Sequence, residues 1–203
     1  TGLVGRNGIG KSTLLKLLAG EIMPASGTIV RDGRIGTMRQ AIAAAPQETV
    51  SDLLGVGAGI ARLRRLAAGS GSAEDAADAD WTLETRIGDA LAAIGLPPLP
   101  PERPTATLSG GQRTRLALAA LLLDAPDMIL LDEPTNNLDA SGRRAVAGML
   151  ESWRGGAIVV SHDRALLRGM ERIVELSSLG ARIYGGGFDV YAAKRAEERE
   201  LAA

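Results

Sequence analysis

Residues 5–13 read Gly5-Arg6-Asn7-Gly8-Ile9-Gly10-Lys11-Ser12-Thr13, which matches the spacing G-x-x-x-x-G-K-S. Glycines at this spacing let backbone N–H groups turn toward a polyphosphate, and a helix starting at Lys11 adds the positive end of its dipole. Lys11 would reach the β and γ phosphates, and the Ser12 hydroxyl would hold Mg²⁺. Only three of the 23 basic residues are lysines, yet a compact ammonium stands here, as a crowded phosphate cradle requires. Further along, the apolar run Met128-Ile129-Leu130-Leu131 ends in Asp132-Glu133. Carboxylates at the end of a strand stand where open α/β sheets bind ligands. Asp132 would contact Mg²⁺, directly or through water, and Glu133 would polarise an attacking water. Adjacent side chains of an extended segment diverge, so the two acids should do different jobs. Both also suit a plainer role as caps of the next helix. Ser109-Gly110-Gly111-Gln112 reads as a helix N-cap, and a helix start made of small residues is also an anion site.

The elements that must position these residues alternate between strand and helix. Thr1 to Val4 reads as a strand and Lys11 to Ala19 as an apolar-faced helix ended by Gly20. Thr28–Val30 and Arg34–Met38 flank Asp32-Gly33, a strong hairpin signal. Helices are predicted over Thr49–Leu66, Trp81–Ile94, Ser109–Leu123, Ser141–Trp153 and Arg164–Met170, and a charged one over Val190–Ala203. Strands are predicted at Asp127–Asp132, Ala157–Ser161, Ile173–Leu176 and Arg182–Tyr184. Gly69 to Asp78 is a small-residue acidic linker expected to be mobile, and the proline-rich stretch Leu96–Pro104 cannot be helical throughout. The expected fold class is α/β, a mainly parallel sheet covered on both faces. It divides into a core of residues 1–45 and 106–187, a helical subdomain of about 46–105, and a charged helix at 188–203.

The phosphate loop, the LSGGQ-type pentapeptide and the strand ending in Asp-Glu together resemble the nucleotide-binding domain of the ABC ATPases, a P-loop NTPase fold. The resemblance covers nearly the whole chain. It implies that Gln40 reaches Mg²⁺ and the attacking water, although position alone fits a surface glutamine as well. It also implies that His162, the single histidine, contacts the γ-phosphate and that water. Ser109, Gly110, Gly111 and Gln112 would then face ATP held by a different domain, with Asp139 and the Asn136-Asn137 loop at the contact between the two. Such a chain cannot complete its own site, and two domains must sandwich two ATP molecules.

Glu133-Pro134-Thr135-Asn136-Asn137-Leu138-Asp139, Ser161 to Leu167 and Tyr184 to Tyr191 resemble the ABC-F branch, which pairs two such domains in one chain. Its members act mostly as ribosome-associated translation factors, so the ribosome is the implied partner, ATP and Mg²⁺ the ligands and the cytoplasm the location. The alternatives are the ATPase subunit of a transporter, which would share every catalytic residue, and a nucleotide-regulated scaffold with negligible turnover. The upstream strands of the family would lie before Thr1, so the sequence reads as a piece of a longer protein. The place of the family's arm insertion holds only the Gly69–Asp80 linker. The charged tail fits either the start of an interdomain helix or an ordinary solvated one with pairs such as Arg195–Glu198.

Composition agrees without deciding the branch. A formal net charge of −1 gives no broad basic footprint for nucleic acid, and zero cysteines excludes disulfides and thiolate metal sites while fitting a reducing cytosol. Aromatics at 2% leave the core to Leu, Ile, Val and Ala. No run reaches the ~18 apolar residues that span a bilayer.

Overall fold

The computed structural model describes residues 1–38 and 47–201. The chain forms two compact units: Thr1–Met38, Pro126–Asn136 and Val146–Ala203 make the first, Arg39–Ala125 and Asn137–Ala145 the second.

The first unit is built on one six-stranded sheet. Its strands are β1 (Gly2–Gly5), β2 (Ile35–Thr37), β3 (Met128–Asp132), β4 (Gly156–Val160), β5 (Arg172–Ser177) and β6 (Gly180–Gly185). They lie in the order β2-β3-β4-β1-β5-β6, all parallel except β6, which pairs antiparallel with β5. Central parallel strands are buried on both faces, which is why β3 and β4 are apolar runs rather than alternating patterns. Helix α1 (Lys11–Ala19) covers one face, where Leu15 packs with Leu3, Leu130 and Val160. On the other face Val4 packs with Leu167, Ile173 and Tyr184. Leu3 and Val4, adjacent in β1, thus point to opposite layers, as the two-residue period of a strand dictates. Each such buried aliphatic contributes roughly 1.5–3 kcal/mol. Helix α7 (Ala140–Ser152), α8 (Arg164–Arg168) and α9 (Phe188–Leu201) complete the helices that enter this unit.

The second unit is helical: α2 (Val50–Leu53), α3 (Gly57–Ala67), α4 (Ala73–Ala77), α5 (Leu83–Ala93) and α6 (Gly110–Asp124). It therefore takes in the helix that follows Ser109. Its residues Ile94, Leu116 and Leu118 are fully buried. The irregular stretch before α6 is tied to the start of α2, with Val50 N donating to the Arg103 carbonyl (2.9 Å) and Thr105 N to that of Glu48 (2.8 Å).

Three local expectations change. The Asp32-Gly33 hairpin does not form: Thr28–Val30 is not a strand, and Ile35–Thr37 pairs in parallel with β3 instead. Side-chain bonds displace the local turn signal. Arg31 donates to the Leu17 and Leu18 carbonyls at the end of α1 (2.5 and 2.8 Å), and Asp127 Oδ2 accepts from Arg34 N (2.7 Å). The helix expected over Thr49–Leu66 is two helices, broken at Gly55, whose φ of 72° only glycine adopts freely. The acidic linker holds a helical turn, α4, capped reciprocally by Ser72 and Asp75. Arg65 pairs with Asp75, and that hydrogen bond, aided by the Ser72 N–H, holds the Asp75 carboxyl down at about 2.

Candidate active site

β1 delivers the chain into the turn at residues 6–10, and α1 leaves it. Gly5 lies at φ 153°, and a Cβ there would stand 2.6 Å from the Leu176 carbonyl oxygen, so β5 allows no side chain. Gly8 and Gly10 need glycine for another reason: φ values of 79° and 106° with open space around both. Gly10 caps α1 without a side-chain hydrogen bond, and no acid stands in the first turn. The helix's first amides and its positive dipole end are thus available to an anion. Lys11 is buried, and its Nζ donates to the carbonyls of Gly5 (2.9 Å) and Arg6 (3.2 Å), which holds the ammonium against the loop.

Across the cleft, Asp132 ends β3 in strand geometry, but Glu133 turns into the left-handed region at φ 49°. Residues 132 and 133 are therefore not the extended pair expected, and both line one cleft. Pro134 disfavours the right-handed helical conformation at residue 133. Two hydrogen bonds hold this turn: Glu133 N donates to the Val160 carbonyl (2.9 Å), and the Glu133 carbonyl accepts from Asn136 N (3.1 Å). Only the neighbouring strand supplies the first, so the local sequence could not announce it. A non-glycine residue held there costs of order 1–3 kcal/mol, which points to a function for its side chain.

His162 follows β4, and its Nε2 lies 3.5 Å from Glu133 Oε1. Burial pushes the Glu133 carboxyl above its ordinary value; the His162 side chain opposes the shift, Asp132 adds to it, and Lys11 counters it. One open cleft of about 310 Å³ is lined by Asn7, Gly8, Gly10, Lys11, Ser12, Thr13, Asp132, Glu133 and His162. Gly5 and Arg6 border a neighbouring cleft instead, and the Ile9 side chain packs near Gly5. Gln40 lies outside the described residues.

In the second unit, Ser109 and Gln112 form a reciprocal capping box: Ser109 Oγ accepts from Gln112 N (3.2 Å), and Gln112 Oε1 accepts from Ser109 N (2.9 Å). A Cβ on Gly111 would stand 3.1 Å from the Asn137 carbonyl oxygen, whereas one on Gly110 would meet nothing. Asp139 Oδ1 accepts from Gly142 N (2.7 Å) and the Ser141 hydroxyl (2.9 Å), and these bonds lower its pKa.

The family model described as ABC transporter matches residues 1–136. The tylosin resistance ATP-binding protein TlrC of Streptomyces fradiae is 38% identical over 98% of this chain and 41% of its own length. The energy-dependent translational throttle protein EttA of Mycobacterium tuberculosis is 34% identical over 97% of this chain and 39% of its own. The chain belongs to the ABC-F branch of the ABC ATPases.

It spans about two fifths of the length of these relatives and matches one nucleotide-binding domain. Solved cassettes share the fold. An archaeal ribosome recycling factor, bound to a ribosomal stalk protein, is 29% identical with a TM-score of 0.67, over 97% of this chain and 36% of that one. A dimeric ATP-binding cassette bound to ADP and Pi is 25% identical with a TM-score of 0.66, over 92% and 85%. Among the described residues, no helix is long and apolar enough to cross a membrane.

The donor set suits what an ABC domain binds. The Ser12 hydroxyl and Asp132 carboxylate, facing one cleft, are hard oxygens of the kind Mg²⁺ takes. No group of three or more His, Cys, Asp or Glu that could hold a metal occurs among the described residues.

Proposed function

We propose that this ABC-F domain binds ATP with Mg²⁺ along the loop from Gly5 to Thr13, and hydrolyses it when a second ABC domain closes over it. The observation that carries this reading is the half-buried Glu133 carboxylate, fixed by a strained backbone across the cleft from Lys11 and Ser12. Lys11 and the first amides of α1 bind the phosphates. Ser12 and Asp132, with Gln40, would hold Mg²⁺, which supplies charge neutralisation at the phosphoryl oxygens when bound. Glu133 orients the attacking water and takes up its proton; its raised pKa makes it a better base than an ordinary carboxylate. His162, against Glu133, contacts the same water and the γ-phosphate.

Ser109, Gly110, Gly111 and Gln112 act on ATP held by the partner domain, with Asp139 at the junction. The open space over Gly110 supports this, because nothing in its own unit forbids a side chain there. A group supplied in trans can be worth about 10³-fold or more in phosphoryl transfer, so the domain alone should turn over slowly. Closure of the two domains would act on the ribosome, in the cytoplasm. The names of two relatives support this direction: EttA as a translational throttle and the archaeal structure as a ribosome recycling factor.

In the full-length protein, Glu133→Gln should lower turnover by about 10²-fold or more while leaving ATP bound. The same variant should co-sediment with ribosomes in ATP more strongly than the wild type. Unchanged turnover would remove Glu133 from its role, and unchanged co-sedimentation would remove the ribosome while leaving the ATPase reading intact.

A further inference from the structure

We propose that the start of α9 is a strap that positions His162, making Gly187 and Phe188 positioning residues for the reaction although neither lines the cleft of Lys11, Ser12 and Glu133. The proposal rests on the role given to His162 above.

The His162 imidazole is 59% exposed and meets Glu133 at 3.5 Å, so its place is set mainly by its backbone. That backbone is bracketed on both sides. Ser161, 1% exposed, accepts from Asp163 N through its Oγ (3.0 Å). Asp163 in turn caps α8, its Oδ1 accepting from Ala165 N (2.9 Å) and Leu166 N (3.3 Å). His162 therefore moves with α8. A helix of five residues does not hold itself, so its position depends on what grips it.

Leu166 and Leu167 anchor α8 from below. The strap grips it from outside through four contacts. Gly186 N donates to the Glu171 carbonyl (2.8 Å), just past α8. Gly187 packs so closely against the Arg168 carbonyl that any Cβ would collide with it. The Arg164 guanidinium lies 5.6 Å from the Phe188 ring centroid, and Arg168 Nε pairs with Asp189 at 3.0 Å. The ion pair is exposed and therefore weak, so the seat at Gly187 and the ring of Phe188 carry the grip.

The far side of the strap is pinned to the sheet. Glu175 on β5 accepts from the hydroxyls of Tyr191 (3.1 Å) and Tyr184 (3.3 Å), and it pairs with Arg195 (3.3 Å). β5 lies beside β1 in the register Gly2↔Ile173 to Gly5↔Leu176. The strap thus refers His162, through β5, to the strand that leads into the phosphate loop.

The test is ATP turnover by the full-length protein as wild type, His162→Ala, Gly187→Ala and the double variant. Gly187→Ala should lower kcat about tenfold with KM for ATP unchanged, since a misplacement of about 1 Å can cost up to about 100-fold. The double variant should be no slower than His162→Ala alone. Losses that multiply, a change in KM instead of kcat, or no loss would overturn the strap. Wild-type turnover by His162→Ala would instead overturn the role of His162. If Gly187→Ala does not fold, Phe188→Leu replaces it in the same cycle, keeping apolar bulk but removing the ring under Arg164; a loss of kcat absent in the His162→Ala background is again required.

Discussion

The phosphate loop with its carboxylates and the start of α6 were both read as chemistry, and they are built in contrary ways. The first is full of local cost. Gly5 is squeezed against a carbonyl, Gly8 and Gly10 are left-handed, Glu133 is strained and its carboxyl is pushed up by burial. The second is quieter: a satisfied capping box, an exposed Gly110 with open space around it and no left-handed residue from Ser109 to Gln112, with only Gly111 close to a carbonyl, that of Asn137. Strain marks groups that must hold a reacting ligand within their own unit, where the rest of the fold can enforce it. A group that serves another domain's ligand has only to be presented, and a well-capped helix presents it at no cost to its own unit. The quiet appearance of Ser109–Gln112 suits the proposed role in trans and a plain helix cap alike.

The largest effect that could break this contrast is at Gly110. In the full-length protein, Gly110→Arg should lower turnover by about 10³-fold, while ATP affinity and melting temperature stay unchanged. A comparable fall in melting temperature would show that the glycine serves its own unit after all. A smaller effect belongs to the strained side. The fold raises the Glu133 pKa, so it favours the protonated carboxyl and opposes the ionised one. That stabilising share is complete below the unfolded pKa and is lost as pH rises through the folded one. Glu133→Gln, which cannot ionise, should therefore be more stable than wild type at neutral pH. Urea unfolding at falling pH should show the gap closing as the carboxyl protonates, and a gap that widens toward acid would contradict the burial effect.

Both clusters could be found from sequence, because spacing alone carries them: G-x-x-x-x-G-K-S before a helix, Asp-Glu after an apolar strand, Ser-x-x-Gln before another helix. Strands β3 to β6 were legible for the same reason, since apolar runs of that length between helices leave few alternatives. What could not be read depended on partners distant in sequence. The left-handed turn at Glu133 needs the Val160 carbonyl, and the failed hairpin follows from Asp127 and the end of α1. The order in the acidic linker needs Arg65, and the grip of Gly187 on α8 needs two elements folded against each other. Gln40 was placed by resemblance and stays outside the described residues.

The smallest effect separates two duties that Ser109 carries at once. Its hydroxyl caps α6 within its own unit, so Ser109→Ala should destabilise the domain by about 1 kcal/mol in urea unfolding. Aspartate also caps well, and its charge suits the positive end of a helix, so Ser109→Asp should leave stability within a few tenths of a kcal/mol of wild type. If the serine only caps, turnover of the full-length protein should then fall for Ala and survive for Asp. If it also faces a phosphate of the partner's ATP, Asp places a negative charge against a negative ligand, and turnover should collapse in the variant whose fold is least disturbed. Ser109→Asp with normal stability and normal turnover would return Ser109 to the role of a cap and nothing more.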